Sequence, residues 1–344
     1  MRLLKKIINS VVTFVLVLVF ILSTPSVIVS AAESVLGSYS INIKNIIPSS
    51  ELDKETAIQS LAFVESSDKK IGSEVYLTTR RFDTTFVIRC TVSGTQITGQ
   101  DYIALLGFGH GESLEIIKEN GKTYLWVGSA AYASAPDYYW STKISCVEYI
   151  KPTSGKKGSY SVIGTYTVDK NGGIAKDTSP NGHNQYNPDR IYERVSIAFS
   201  TASICVREAN SAESKYIYFN NIDGGLTNAK IEDALLNTTP YISTVSRTVD
   251  RVLSAGVYSY QSHDIYNGYI YVAGGSEDGV AKINKLKAST GAFQTALDIS
   301  NTYNNKQLEM EGIKINSSYI FYMLRPYTGG SNFGDTKIYY IAIK

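Results

Sequence analysis

Gln261-Ser262-His263-Asp264-Ile265, followed three residues later by Tyr269-Ile-Tyr-Val272, reads as two successive strands. A polar residue precedes a small one, apolar positions then alternate, and the second run is built of Tyr, Ile and Val, which fit a pleated, half-buried surface. The same element stands at Gln59-Ser60-Leu61-Ala62-Phe63, Glu112-Ser113-Leu114-Glu115-Ile116, Val195-Ser196-Ile197-Ala198-Phe199 and Glu311-Gly312-Ile313-Lys314-Ile315. Aromatic-aliphatic runs follow these copies at Val75-Tyr-Leu77, Tyr124-Leu-Trp-Val127, Tyr216-Ile-Tyr-Phe219 and Tyr319-Ile-Phe-Tyr322. The small residues Ser60, Ser113, Ser196, Ser262 and Gly312 lie 53, 83, 66 and 50 residues apart. That loose period suits four-stranded units with connections of unequal length.

A further strand is expected in most units, at Thr85–Cys90, Lys143–Val147, Val280–Leu286 and Lys337–Ile343. Five such units arranged radially make an all-β, five-bladed β-propeller of roughly 62 residues per blade. Ile338–Ile343 runs almost to the end of the chain and is expected to complete a blade begun near Ser38-Tyr-Ser-Ile-Asn-Ile43, locking the ring. Short helices are expected over Ser50–Gln59 and Asn228–Leu236 as surface decorations. Pro152–Arg190 reads as an exposed loop carrying a hairpin around Tyr160–Val168.

The amino terminus carries Arg2, Lys5 and Lys6, an apolar run from Val11 to Leu22 and the small residues Ser30-Ala31-Ala32. The run is shorter than the roughly 20 residues that span a bilayer, so residues 1–32 read as a cleavable signal peptide and 33–344 as a single secreted, extracellular propeller domain. Of 344 residues, 43% are hydrophobic and 19% charged, enough to bury a substantial core. Taking the three leader cations from 33 basic residues leaves 30 against 31 acids. A near-neutral chain lacks the field that binds nucleic acid. No segment after the leader reads as a stable membrane insertion. Cys90, Cys146 and Cys205 have no metal-ligand spacing; they read as buried strand residues, with a Cys90–Cys146 bridge left open.

No nucleophile elbow, zinc-protease helix or phosphate loop is present, so the chain reads as leaning away from an enzyme. Around a propeller axis the repeat brings Gln59, His110, Glu112, Glu115, Gln261, His263, Asp264, Glu309 and Glu311 together as a central polar ring. Converging carboxylates need protons, hydrogen bonds or a cation. Three readings follow: a hydrogen-bonded structural plug, a channel Ca²⁺ with Glu112 and Glu311 among its ligands, or a catalytic Glu or His pair at the channel mouth. Otherwise no cofactor is expected. His183 reads as solvated. The cluster Tyr132, Tyr138, Tyr139 and Trp140 reads as an exposed aromatic loop suited to stacking on a sugar or to a protein contact.

Gly109-His-Gly-Glu-Ser-Leu-Glu115, with Leu125-Trp-Val-Gly128 and Trp140-Ser-Thr-Lys-Ile144, resembles the helveticin J-like class III bacteriocins. Gln261–Val272 and Leu308–Ile315 fit the later blades of that family in the same order, and the likeness spans about residues 55 to 344. The chain departs from the family at Leu114, where an aromatic is usual, and at Val195. The resemblance implies a secreted, heat-labile antibacterial protein acting on related bacteria, with no catalytic residues to carry over. A cell-surface receptor or wall glycan is the partner it implies, with an immunity protein in the producer. The residues alone also admit a carbohydrate-binding propeller, or a lyase or hydrolase.

Overall fold

A computed structural model describes residues 35–52, 57–65, 70–135, 138–169, 171–177, 194–209, 213–250, 252–254, 257–275, 281–299, 308–326 and 336–343. The expected signal peptide and His183 lie outside the described residues. After a first strand, β1 (Gly37–Asn42), blade 1 comprises β2 (Ile58–Glu65), β3 (Ile71–Arg81), β4 (Thr84–Ser93) and β5 (Gln96–Leu105). Blade 2 comprises β6 (Leu114–Glu119), β7 (Lys122–Ala135), β8 (Tyr138–Ile150) and β9 (Ser159–Val168), with β10 (Ile174–Asp177) as a fifth, outermost strand. Blade 3 comprises β11 (Arg194–Ser200), β12 (Ser203–Ala209), β13 (Glu213–Phe219) and β14 (Tyr241–Ser246), with helix α1 (Asn228–Asn237) between the last two. Helix α2 (Arg247–Asp250) and the hairpin β15 (Val252–Ser254) and β16 (Val257–Ser259) lead to blade 4. That blade comprises β17 (Ser262–Tyr266), β18 (Tyr269–Gly274), β19 (Ala281–Lys287) and β20 (Phe293–Ile299). Blade 5 comprises β21 (Leu308–Ile315), β22 (Tyr319–Pro326), β23 (Lys337–Ala342) and, as its outer strand, β1.

The five inner strands β2, β6, β11, β17 and β21 lie each against the next, and β21 lies against β2, so the ring closes. Period-two alternation supplies a separate apolar core to every seam. In β3, Leu77 enters the core shared with blade 5, where Phe321 and Met323 meet it, while its neighbour Tyr76 enters the core shared with blade 2. Blades 2 and 3 share Trp126, Ile197 and Phe199, blades 3 and 4 share Tyr216 and Val272, and blades 4 and 5 share Tyr271 and Ile313. Because both faces of each blade are covered, the strands read as aromatic-aliphatic runs, not as an apolar face backed by a polar one.

Closure uses the two ends of the chain as the sequence implies: β1 pairs antiparallel with β23, Tyr39 opposite Ile338. The structure adds a second clasp, because β1 also pairs in parallel with β5, Ile41 opposite Ile97, tying the outer edge of blade 5 to that of blade 1.

Four readings change. Tyr216–Phe219 is the third strand of blade 3, not the second, which is Ser203–Ala209. Residues 50–52 form turn and bend, and Ile58 and Gln59 already belong to β2, so no helix covers the described part of Ser50–Gln59. Ser159–Val168 is the fourth strand of blade 2, paired with β8 on one side and with β10 on the other. Helix α1 is no decoration: Ile231, Ala234 and Leu235 are buried, Thr227 caps its first turn, and Asn228 accepts a 2.9 Å hydrogen bond from the Trp126 indole of blade 2.

Candidate functional site

The repeated small residues sit at the seams between blades. Ser113 Oγ accepts from the Ile197 amide at 2.8 Å and donates to the Ile197 carbonyl at 3.0 Å, joining blades 2 and 3. Ser60 bonds Thr78, whose hydroxyl donates to the Gly111 carbonyl at 2.6 Å and reaches the segment entering blade 2. Ser196 bonds Tyr260 and His263 across the seam to blade 4. At Gly312 an added Cβ would fall 3.0 Å from Ser60 Cα, so backbone meets backbone between blades 5 and 1. The repeat that reveals the fold is therefore a packing device, with hydroxyls bonding the neighbouring blade.

The expected polar ring divides in two. Deep between blades, Lys314 Nζ donates to Glu115 Oε1 at 2.6 Å, to Asp264 Oδ1 at 3.2 Å and to the Phe199 carbonyl at 3.2 Å. Glu115 also accepts from the Phe199 amide, and Asp264 from the amides of Ile265 and Ile315. One ammonium thus joins blades 2, 3, 4 and 5 at a single buried point. Burial raises the Glu115 carboxyl to about 7 against the pull of Lys314, and burial likewise raises Asp264. For Lys314 burial works the other way, but the two carboxylates outweigh it and its pKa is raised. The cation that converging carboxylates require is here a protein side chain. Lys314 occupies the register of Ala62, Glu115, Ala198 and Asp264 in the other copies. An opposite charge in that register was the available signal.

At the strand-entry end of the channel a second group gathers. Arg194 Nη1 lies 3.3 Å from Glu112 Oε1, and Gln261 Nε2 donates to Glu309 Oε1 at 3.1 Å. Arg325 lies 3.8 Å from Glu309 and 3.9 Å from Glu311. The β2 ladder slips at Gln59 and the β21 ladder at Glu311–Gly312, so the same repeat position is bulged in two blades. Gln59 is buried at this entry. Glu311 is buried too, and burial with the nearby Glu309 charge raises its pKa well above the ordinary carboxylate value. Arg194 and Arg325 are the residues missed here, because the repeat does not contain them.

His110 is flanked by Gly109 and Gly111, both at left-handed φ (98° and 83°). An added Cβ on Gly111 would sit 3.1–3.2 Å from Thr85 and Thr78, which fixes the imidazole's seat. The ring stacks on Trp140 at 4.2 Å, while the Arg194 guanidinium lies 3.2 Å from the same indole centroid. Two groups that near cannot share one face, so both faces of Trp140 are covered. The exposed aromatic loop is thereby corrected: Tyr138–Trp140 belong to β8, Tyr132 pairs opposite Trp140, both of these side chains are buried, and Tyr139 is half-buried. Burial and then the Arg80 and Arg194 charges hold His110 neutral, and its Nδ1 has no hydrogen-bond partner.

His263 is turned away from the channel into the seam between blades 3 and 4. Its Nε2 faces the Cys205 carbonyl at 3.4 Å, so that nitrogen carries the proton and Nδ1 faces the Tyr260 hydroxyl at 2.9 Å as acceptor. Burial and the Arg207 charge lower its pKa to about 3. Arg207 and Asp250, both fully buried, form a two-pronged pair at 2.8 and 2.7 Å, completed by Tyr216 at 2.6 Å. Cys90, Cys146 and Cys205 are separate, buried thiols, and burial pushes Cys146 up to about 12.

Among the described residues no three His, Cys, Asp or Glu side chains are grouped as a metal site, and the charge against Glu112 is Arg194. No described helix is long and apolar enough to cross a membrane. At the far end of blade 2 a cleft of about 450 Å³ is lined by Lys118, Lys122, Glu148 and Lys151, with Lys122 and Glu148 paired at 3.0 Å.

No family model matches the chain, and no curated protein matches it. Among solved structures, the Dos1 propeller is similar at 8% identity over 83% of this chain and 68% of that one, with a TM-score of 0.34. The RS223 β-xylosidase is similar at 9% identity over 85% and 93%, with a TM-score of 0.34. A Lactobacillus plantarum protein is similar at 12% identity over 83% and 70%, with a TM-score of 0.30. The blade count rests on the chain's own strand pairing.

Proposed function

We propose that this chain is a secreted, non-enzymatic recognition propeller that acts as an antibacterial protein on the surface of related bacteria. The observation that carries the non-enzymatic half is the state of the inner-strand ionisable groups. Glu115 and Asp264 are held by Lys314, and His110 and His263 are buried and neutral. Groups buried in these bonds do not come within hydrogen-bond reach of a substrate's proton, which general acid–base catalysis requires. The leader-like residues 1–32 support export, and the resemblance to helveticin J-like bacteriocins supports the antibacterial half. Purified secreted protein spotted on lawns of related strains should clear them and should bind their isolated walls. Full growth across a broad panel removes the antibacterial half, and absence of wall binding removes recognition.

Glu311 favours a second reading, an enzyme at the channel mouth. It is a buried carboxyl whose pKa is raised well above the ordinary carboxylate value by burial and by the Glu309 and Glu112 charges. A hydrolase or lyase of this kind should degrade a bacterial polysaccharide and lose that turnover in Glu311→Gln; no turnover on wall polysaccharides ends this reading.

A further inference from the structure

The mouth combines groups whose hydrogen-bonding capacity the fold leaves open. Arg194 is positioned by the Trp140 indole and by Glu112, yet its Nε has no hydrogen-bond partner, and its side chain is 22% exposed. Arg325, at the end of β22 and 24% exposed, faces carboxylate oxygens only at 3.8 and 3.9 Å, beyond hydrogen-bond reach. His110 Nδ1, on a residue 8% exposed, is a third unpartnered nitrogen at the same indole. The charges of Arg80 and Arg194 act on His110, and those of Arg80 and Arg325 on Glu311, so this end of the channel gathers three guanidiniums. Glu112, Glu309 and Gln261 supply acceptors and an amide beside them.

We propose that the channel mouth binds an anionic, polyhydroxylated glycan residue, its carboxylate or phosphate held by Arg194 and Arg325 and its hydroxyls by Glu112, Glu309 and Gln261. Guanidinium donors in a fixed fork match planar or tetrahedral oxyanions, and carboxylates are the customary acceptors for vicinal hydroxyls. The inference rests on the recognition reading above and names its ligand class. It differs from a cation site, which would have to displace the guanidiniums already lying beside these carboxyl groups.

Calorimetric titration of the purified full chain tests it with three probes: a galacturonate hexamer, a glycerol-phosphate hexamer and, as neutral control, a glucose hexamer. At least one acidic oligomer should bind at least tenfold more tightly than the glucose hexamer, and which of the two binds identifies the carboxylate or the phosphate source. Arg325→Gln, at a strand end, should weaken that binding at least tenfold with an unchanged thermal midpoint. Arg194→Gln should weaken it as well. Failure of both acidic oligomers, equal binding of the neutral one, or insensitivity to both substitutions overturns the site. Wall binding that persists in Arg325→Gln removes the mouth and leaves recognition standing, whereas loss of wall binding in the parent protein removes recognition itself.

Discussion

Lys314 makes contacts that no other side chain in the ring could replace, since its ammonium alone compensates two carboxylates out of reach of water. Replacing it by Met leaves Glu115 and Asp264 buried without a cation, and removing one partner of a buried pair costs about 3–5 kcal/mol. Lys314→Met should lower the free energy of unfolding by about that amount in a urea titration at pH 7, and the triple variant with Glu115→Gln and Asp264→Asn should recover much of it. A small loss in the single variant would mean the cluster is hydrated. The pH dependence has a definite sign. Glu115 has a folded pKa raised to about 7 against the ordinary 4.5, so the folded state holds more protons between those values. Its contribution is full below 4.5 and is lost as pH rises towards 7. Glu115→Gln should therefore fall less steeply in stability than the parent protein between pH 4.5 and 7, as read from parallel denaturation curves.

Strands differ in how far neighbouring sequence announces them. β17 and β18 are legible from their own residues, because their alternation sends successive side chains to two buried faces. β12 is not announced in this way: Ser203–Ala209 contains Arg207 and Glu208, which look solvated until Asp250 pairs with the guanidinium and the Tyr260 ring covers it. β1 carries the clearest expectation at this scale. Ile41 is 3% exposed in a strand at the edge of the described chain, and its strand pairs on both sides. Ile41→Ala should cost about 2–5 kcal/mol, as for a central core position, whereas a loosely held end would register almost nothing. Denaturant midpoints at constant slope distinguish the two. Thr227→Ala should cost about 1 kcal/mol through the lost α1 cap, measured in the same way.

The molecule as a whole is a closed cycle of five blades with five shared cores, so opening one seam exposes the inner faces of two blades at once. Closure is fastened twice, at the inner strands by β21 against β2 and at the outer edge by β1 against β5. The intact chain should unfold in one calorimetric transition whose van't Hoff and calorimetric enthalpies agree. A variant deleted for residues 37–42 should show a lower midpoint and a broadened or split transition. Retention of a single sharp transition at the parent midpoint would show the clasp to be idle.

Residues spaced along one strand decided the architecture on their own. A small residue at each seam, followed by apolar side chains alternating into two cores, is demanded by local geometry and survives in the order of the amino acids. Arg194 and Arg325 lie outside the repeat and acquire their meaning only when distant segments meet, and the register of Lys314 shows an opposite charge without showing which carboxylates it joins. The same holds for Trp140, whose aromatic neighbourhood looks exposed until His110 and Arg194 cover its two faces. Burial and charge compensation are properties of the assembled ring, and there the tertiary structure alone decides which polar residues are pins and which remain open to a ligand.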